Sequence, residues 1–197
     1  MRVAVLITGQ LRDYKINALN HVKHLIEPND ADVFVYACNK NTLHTCGENI
    51  TQKYNITTTQ TTEEITEDVN IRKGFLMAQK YASDNGFEYD VIVRSRPDNS
   101  MYPNPIELSQ MEIMDAALYS TQYYTGHKDP WFFSFANPSA FDRYCSFKYL
   151  PDADPNRTDN DFLCPEYAME QYLPTIGINI VYYLDICLTF TGYDKTQ

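Results

Sequence analysis

The sequence predicts an α/β domain with a mostly parallel central sheet, flanking helices and a small antiparallel attachment. Three observations predict it. Val91-Ile92-Val93 is a β-branched run suited to a strand covered on both faces, and Pro97, which cannot donate to a sheet ladder, stops it. Residues 3–8 form an apolar strand that meets Gly9 and then a helical pattern. The order of elements, β-α-β-loop-α-β and then mixed strands and helices, is that of a parallel sheet with an antiparallel extension. With 197 residues, 44% of them hydrophobic, the chain can bury one substantial core, so a single domain is expected.

In order along the chain, residues 3–8 are the first strand. Gly9-Gln10-Leu11-Arg12 turns into a helix that runs through Leu25 and Ile26 and is ended by Pro28. Residues 32–37 are the second strand. Residues 42–62 are polar, with a Thr-Thr-Thr-Gln-Thr-Thr run and few large apolar residues, which predicts a loop or irregular flap. Asp68 starts a helix with Val69, Phe75, Leu76 and Tyr81 on its apolar side, ending at Asn85-Gly86. It delivers the chain to the strand after Tyr89. Residues 116–120 and 131–136 are further strands, separated by a polar, aromatic loop over 121–130. Residues 139–150 are helical, and 151–160 is an Asp/Pro/Asn-rich loop. Pro165 suits the first turn of another helix, with Glu166 beside it and Met169, Tyr172 and Leu173 toward the core. Strands over 178–184 and 187–190 complete the pattern, and no internal repeat is visible.

The balance of 26 acidic against 16 basic residues gives a formal charge of -10, which repels a polyanion and argues against nucleic acid as a partner. Five cysteines, without CxxC or zinc-like spacing, read as reduced and mostly buried thiols. No apolar run approaches the roughly 18 residues of a bilayer span, and no signal peptide is visible, so no membrane span and a cytoplasmic location are expected. The sequons at Asn49, Asn55 and Asn156 are then chance products of a Thr/Asn-rich composition.

Arg94, Arg96 and Asp98 fall at the carboxyl end of a central strand, where ligands bind in open α/β sheets. Arginines suit phosphate oxygens, and a carboxylate suits a metal or a hydroxyl. The plainer reading is a buried Arg–Asp ion pair that fixes a loop. Gly9 offers a ligand close approach to the main chain beside a helix amino terminus, though glycine is common at such turns.

Thr8-Gly9-Gln10-Leu11-Arg12, Arg94-Ser95-Arg96-Pro97-Asp98 and the Pro165-Glu166 helix start together resemble a GT-A type nucleotide-sugar glycosyltransferase. The similarity is nearest to viral and bacterial members with Arg-x-Arg-Pro-Asp, among them the amino-terminal glycosyltransferase domain of a multidomain chlorella-virus protein. The resemblance implies a GT-A, Rossmann-like fold, possession of further domains in the same polypeptide, and residence in the host cytoplasm if the chain is viral. It implies that Thr8, Gly9 and Arg12 meet uridine and diphosphate, and that Asn39 meets base or ribose. Of the family's Asp-x-Asp only the last carboxylate is kept, in Arg96-Pro97-Asp98, so Asp98 would bind Mn²⁺ or Mg²⁺. Arg96 would replace part of the cation's charge, helped by Arg94, Arg72 or Lys73, although basic residues on a helix are usually solvated.

A general base for the acceptor hydroxyl is sought among Asp129, Asp161 and Glu166; Glu166 could equally complement a helix dipole. Tyr123, Tyr124 and Trp131 would form a platform for a sugar ring, whereas Phe132 and Phe133 read as core. His127 is a further ligand candidate, and a lone loop histidine is more often neither ligand nor catalyst. The reading is transfer of a hexose or deoxyhexose, with glucose and rhamnose as candidates, from a UDP-sugar to a glycan acceptor. Two alternatives stay open. One is a non-catalytic nucleotide-sugar or glycan-binding module. The other is a sugar nucleotidyltransferase, which would want more glycines after the first strand than Gly9 alone.

Overall fold

The computed structural model describes residues 1–10, 14–38, 58–62, 67–102, 104–123, 133–146 and 172–190. They build an eight-stranded mixed sheet. In chain order its elements are β1 (Val3–Gln10), α1 (Tyr14–His21), β2 (Asp32–Cys38), β3 (Thr58–Thr62), α2 (Glu67–Asp84), β4 (Val91–Ser95), β5 (Asn99–Tyr102), β6 (Ala117–Tyr123), β7 (Phe133–Ala136), α3 (Pro138–Tyr144) and β8 (Asn179–Phe190). The strand order is β3-β2-β1-β4-β7-β6-β8-β5. Strands β3, β2, β1 and β4 are mutually parallel, β7 is antiparallel to both β4 and β6, β6 and β8 are parallel, and β5 is antiparallel to β8. The expected parallel sheet with an antiparallel attachment is therefore present.

Both faces of the sheet are covered because the apolar residues of β1 and β4 alternate between two cores, with Thr8, Arg94 and Ser95 the buried polar positions toward the strand ends. Val3, Val5, Ile7, Val91 and Val93 pack with Tyr14, Ala18 and Leu25 on the α1 face. Ala4, Leu6 and Ile92 pack with Ile71, Phe75, Phe141 and Tyr144 on the face of α2 and α3. The buried stripe of α2 is Ile71, Phe75, Ala78 and Ala82, spaced by three and four residues, whereas Leu76 is 43% exposed. Leu76 was expected on the apolar side; small alanines at the sheet-facing positions let the helix sit close instead. Gly86, at φ 70°, takes the left-handed turn that follows α2, as Asn85-Gly86 predicted.

Other boundaries differ for physical reasons. The threonine run expected as loop contains β3, because β-branched residues suit an edge strand even where hydrophobicity is low. Helix α1 continues through a π turn (Val22–Ile26) and a 3-10 turn (Glu27–Asn29), so Pro28 lies inside the last turn, and Asp30 at φ 45° ends it. The two expected terminal strands are one strand, β8, whose pairing with β6 jumps from Tyr183 to Cys187 between Thr121 and Gln122. Asn137 caps α3 by accepting from the Ala140 amide at 2.8 Å. Leu173 is buried as expected, and Phe133 is core.

Candidate active site

The parallel strands end on one rim, where β1 finishes beside β4 in the register Leu6–Arg94 and Ile7–Ser95. Gly9 adopts φ 117°, a conformation that suits glycine, at the point where β1 has left β4 but still pairs with β2 through Gly9–Ala37 and Gln10–Cys38. Arg94 is fully buried and donates from Nε to Thr8 Oγ1 at 3.2 Å. A side chain in a strand leans along it, so the Arg94 guanidinium reaches from the level of Leu6 up to the rim. The two arms of the predicted nucleotide site, β1 and β4, thus meet through a guanidinium and a hydroxyl.

Arg96 and Asp98 lie on the turn that follows. Arg96 grips Asp98 as a fork, Nε to Oδ1 at 2.8 Å and Nη2 to Oδ2 at 2.7 Å, with side chains only 12% and 5% exposed. The plainer sequence reading, an Arg–Asp pair that shapes a loop, is realised in this geometry. The turn is held from below by α1. His21 is fully buried, with Nε2 3.2 Å from Ser95 Oγ, and Ser100 Oγ donates to Asn17 Oδ1 at 2.5 Å. Burial pushes the His21 pKa down to about 4, against the opposing field of Asp98, so the ring is neutral near pH 7.

The remaining described candidates spread out. Arg72 pairs closely with Asp142 and links α2 to the end of α3. Its charge, with that of Arg94, reaches the Cys145 thiol, whose pKa burial nevertheless raises. Cys145 is a free cysteine of low thiolate character. Lys73 is exposed on the outer face of α2. Arg12, Asn39, Asp129, Asp161 and Glu166 lie outside the described residues, as do His127, Tyr124, Trp131 and all three sequons.

The divalent ion implied by the fold family would find one carboxylate here. Among the described residues no group of three His, Cys, Asp or Glu side chains could hold a metal ion. Both Asp98 oxygens accept from Arg96, but a carboxylate has further lone pairs to offer. Asp98 therefore fits a cation that takes most of its oxygens from a diphosphate and water, as Mg²⁺ commonly does, and not an all-protein cage.

Asn70 on α2 was not anticipated from the sequence. It is fully buried, and neither Nδ2 nor Oδ1 has a hydrogen-bond partner. Its signal was an amide beside Ile71 within an otherwise apolar helix stripe. Elsewhere, a cleft of about 370 Å³ lined by Phe75, Gln79, Phe87, Glu88 and Tyr89 opens near the start of β4, at the opposite edge of the sheet. It contains no basic side chain, so it is poorly suited to a diphosphate.

No protein-family model matches the chain, and no curated protein is significantly similar to it in sequence. Solved structures do match. A structure described as a nucleotide-diphospho-sugar transferase from Desulfovibrio desulfuricans aligns over 96% of this chain and 82% of its own, with 11% identity and TM-score 0.50. A mannosyltransferase from Pyrobaculum calidifontis, in complex with GDP-Man and Mn²⁺, aligns over 98% of this chain at 8% identity and TM-score 0.64. The chain spans only 58% of that enzyme's length. A glycosyltransferase involved in glycosylation of the major capsid of PBCV-1 aligns over 93% of this chain and 82% of its own, at 12% identity and TM-score 0.50. The chain thus has the GT-A-like fold of nucleotide-sugar glycosyltransferases, and the resemblance read from the sequence is borne out at the level of fold.

Proposed function

We propose that this chain is a glycosyltransferase that moves a hexose or deoxyhexose, with glucose and rhamnose as candidates, from a UDP-sugar to a glycan acceptor, assisted by Mn²⁺ or Mg²⁺. The observation that carries the reading is the convergence of Thr8, Arg94 and the Arg96–Asp98 fork on one rim of a GT-A-like sheet. The mannosyltransferase neighbour, in complex with GDP-Man and Mn²⁺, supports a nucleotide-sugar donor together with a divalent ion.

In this reading Thr8, Gly9 and Arg12 receive uridine and diphosphate, Asn39 receives base or ribose, and Asp98 holds the cation. Transfer breaks the bond between the anomeric carbon and the diphosphate oxygen and forms a bond to the acceptor oxygen. The electron pair leaves with UDP, whose charge Arg94 and Arg96 stabilise. The acceptor's hydroxyl proton passes to a carboxylate, for which Asp129, Asp161 and Glu166 are the candidates.

A second reading, a nucleotide-sugar or glycan-binding module without turnover, draws on one observation: Asp98 is already neutralised by Arg96. Calorimetric titration with UDP, with and without Mn²⁺ and with GDP as control, tests the donor site. Metal-enhanced, uridine-selective binding is expected, and a folded Asp98→Asn variant should lose the metal-dependent gain, about tenfold in affinity. Absence of nucleotide binding under every condition would overturn the proposal, while binding without sugar transfer or UDP-sugar hydrolysis would favour the module.

A further inference from the structure

We infer that Asn70 is a further ligand-contacting residue of the donor site and hydrogen-bonds the pyrimidine base, not the diphosphate. The inference rests on the donor-site reading above. Helix α2 connects β3 to β4, both parallel to β1, so it runs from the carboxyl rim of the sheet toward the opposite edge. Its contact with the sheet is marked by Gly74, where an added Cβ would stand 3.0 Å from Thr8 Cγ2 and 3.7 Å from Tyr36 Cβ. Asn70 is four residues earlier and therefore on the same stripe, about 6 Å nearer the rim. Two strand residues advance by nearly the same distance, so Asn70 stands at about the level of Gln10 and Cys38, register partners at the ends of β1 and β2.

The Asn70 amide is 0% exposed and makes no hydrogen bond from either polar atom. Burying such a group raises the energy of the ligand-free protein, and a ligand that offers both a donor and an acceptor recovers the loss. Phosphate oxygens only accept, so they would leave Oδ1 unsatisfied. Guanidinium groups already serve that role at Arg94 and Arg96. The imide edge of a pyrimidine, an N–H flanked by carbonyl oxygens, matches both halves of a primary amide at once, as paired amide contacts to base edges do elsewhere. Thr8 meets the α2 stripe through its methyl group, at Gly74, and Arg94 through its hydroxyl.

The test compares wild type, Asn70→Leu and Asn70→Ala by thermal unfolding and by titration with UDP, uridine and pyrophosphate. The leucine variant should be as stable as wild type or more so, because an apolar side chain of similar volume removes the unpaired amide. UDP and uridine affinities should fall together by about tenfold in both variants, with pyrophosphate binding unchanged. Wild-type binding of UDP with no loss in the variants would overturn the Asn70 assignment alone, and so would an equal loss for pyrophosphate. A leucine variant that is less stable yet binds UDP normally would mean that the amide is satisfied inside the protein. Failure of wild type to bind any of the three ligands would overturn the donor-site reading and this inference with it.

Discussion

On the α1 side of the sheet, Asn20 donates to the Met101 carbonyl at 3.0 Å and accepts from the Met101 amide at 2.7 Å, while Asn29 binds the Ile106 carbonyl and the Leu108 amide. On the α2 side, Asn70 is buried as fully as any residue in the core and has no such partner. The same side chain therefore does two different jobs. Asn20 and Asn29 substitute for a sheet ladder along the segment from Met101 to Leu108, answering backbone groups that would otherwise be orphaned. Asn70 answers nothing in the ligand-free protein. The contrast separates two asparagines whose amides tie down a segment from one whose amide, at the rim end of α2, has neither half satisfied.

The comparison breaks most visibly with pH. His21 anchors the α1 side beside Ser95 and Asp98, and its pKa in the folded protein is lowered from 6.5 to about 4. Between those values the unfolded chain binds more protons. Stability is thus full above about pH 6.5 and falls as pH drops toward 4, by about 3 kcal/mol. Urea unfolding from pH 7 to 4 should show this slope, and His21→Gln should flatten it; an unchanged slope would assign the effect to other groups.

Next in size, Asn20→Leu strips both hydrogen bonds from Met101 and should cost about 2 kcal/mol, measured by denaturant midpoint. At the rim, Arg96→Gln removes the fork from Asp98, so Mn²⁺ alone should bind about tenfold tighter while UDP binds more weakly. Unchanged Mn²⁺ affinity would mean that the fork does not compete for the carboxylate. The smallest effect sharpens the comparison most: Asn70→Leu should stabilise by up to about 1 kcal/mol, opposite in sign to Asn20→Leu. Equal losses in the two variants would erase the distinction between the faces.

Much of the frame was legible in the chain. The Val91–Ser95 strand and its stop before Pro97 follow from steric rules that act over a few residues, whereas β1 runs past the turn expected at Gly9, because Gly9 and Gln10 still pair with β2. The β3 strand escaped because threonines carry β propensity without the hydrophobic alternation that marks a half-buried strand. The position of Leu76 was misjudged because periodicity defines a stripe only to within about one residue, and the choice between Leu76 and Ala78 depended on how closely α2 approaches β1 and β2.

By itself the sequence determined which chemical groups stand at the rim: a hydroxyl and a glycine in the last residues of β1, one guanidinium near the end of β4, and a second guanidinium and a carboxylate just after it. Tertiary structure decided their partners. It set Arg94 on Thr8, 86 positions away in the chain, closed Arg96 onto Asp98, tied Arg72 to Asp142 and left the Asn70 amide unanswered. Residue type and spacing are local properties of a chain, whereas hydrogen-bond partners depend on which strands become neighbours and how closely a helix packs across them.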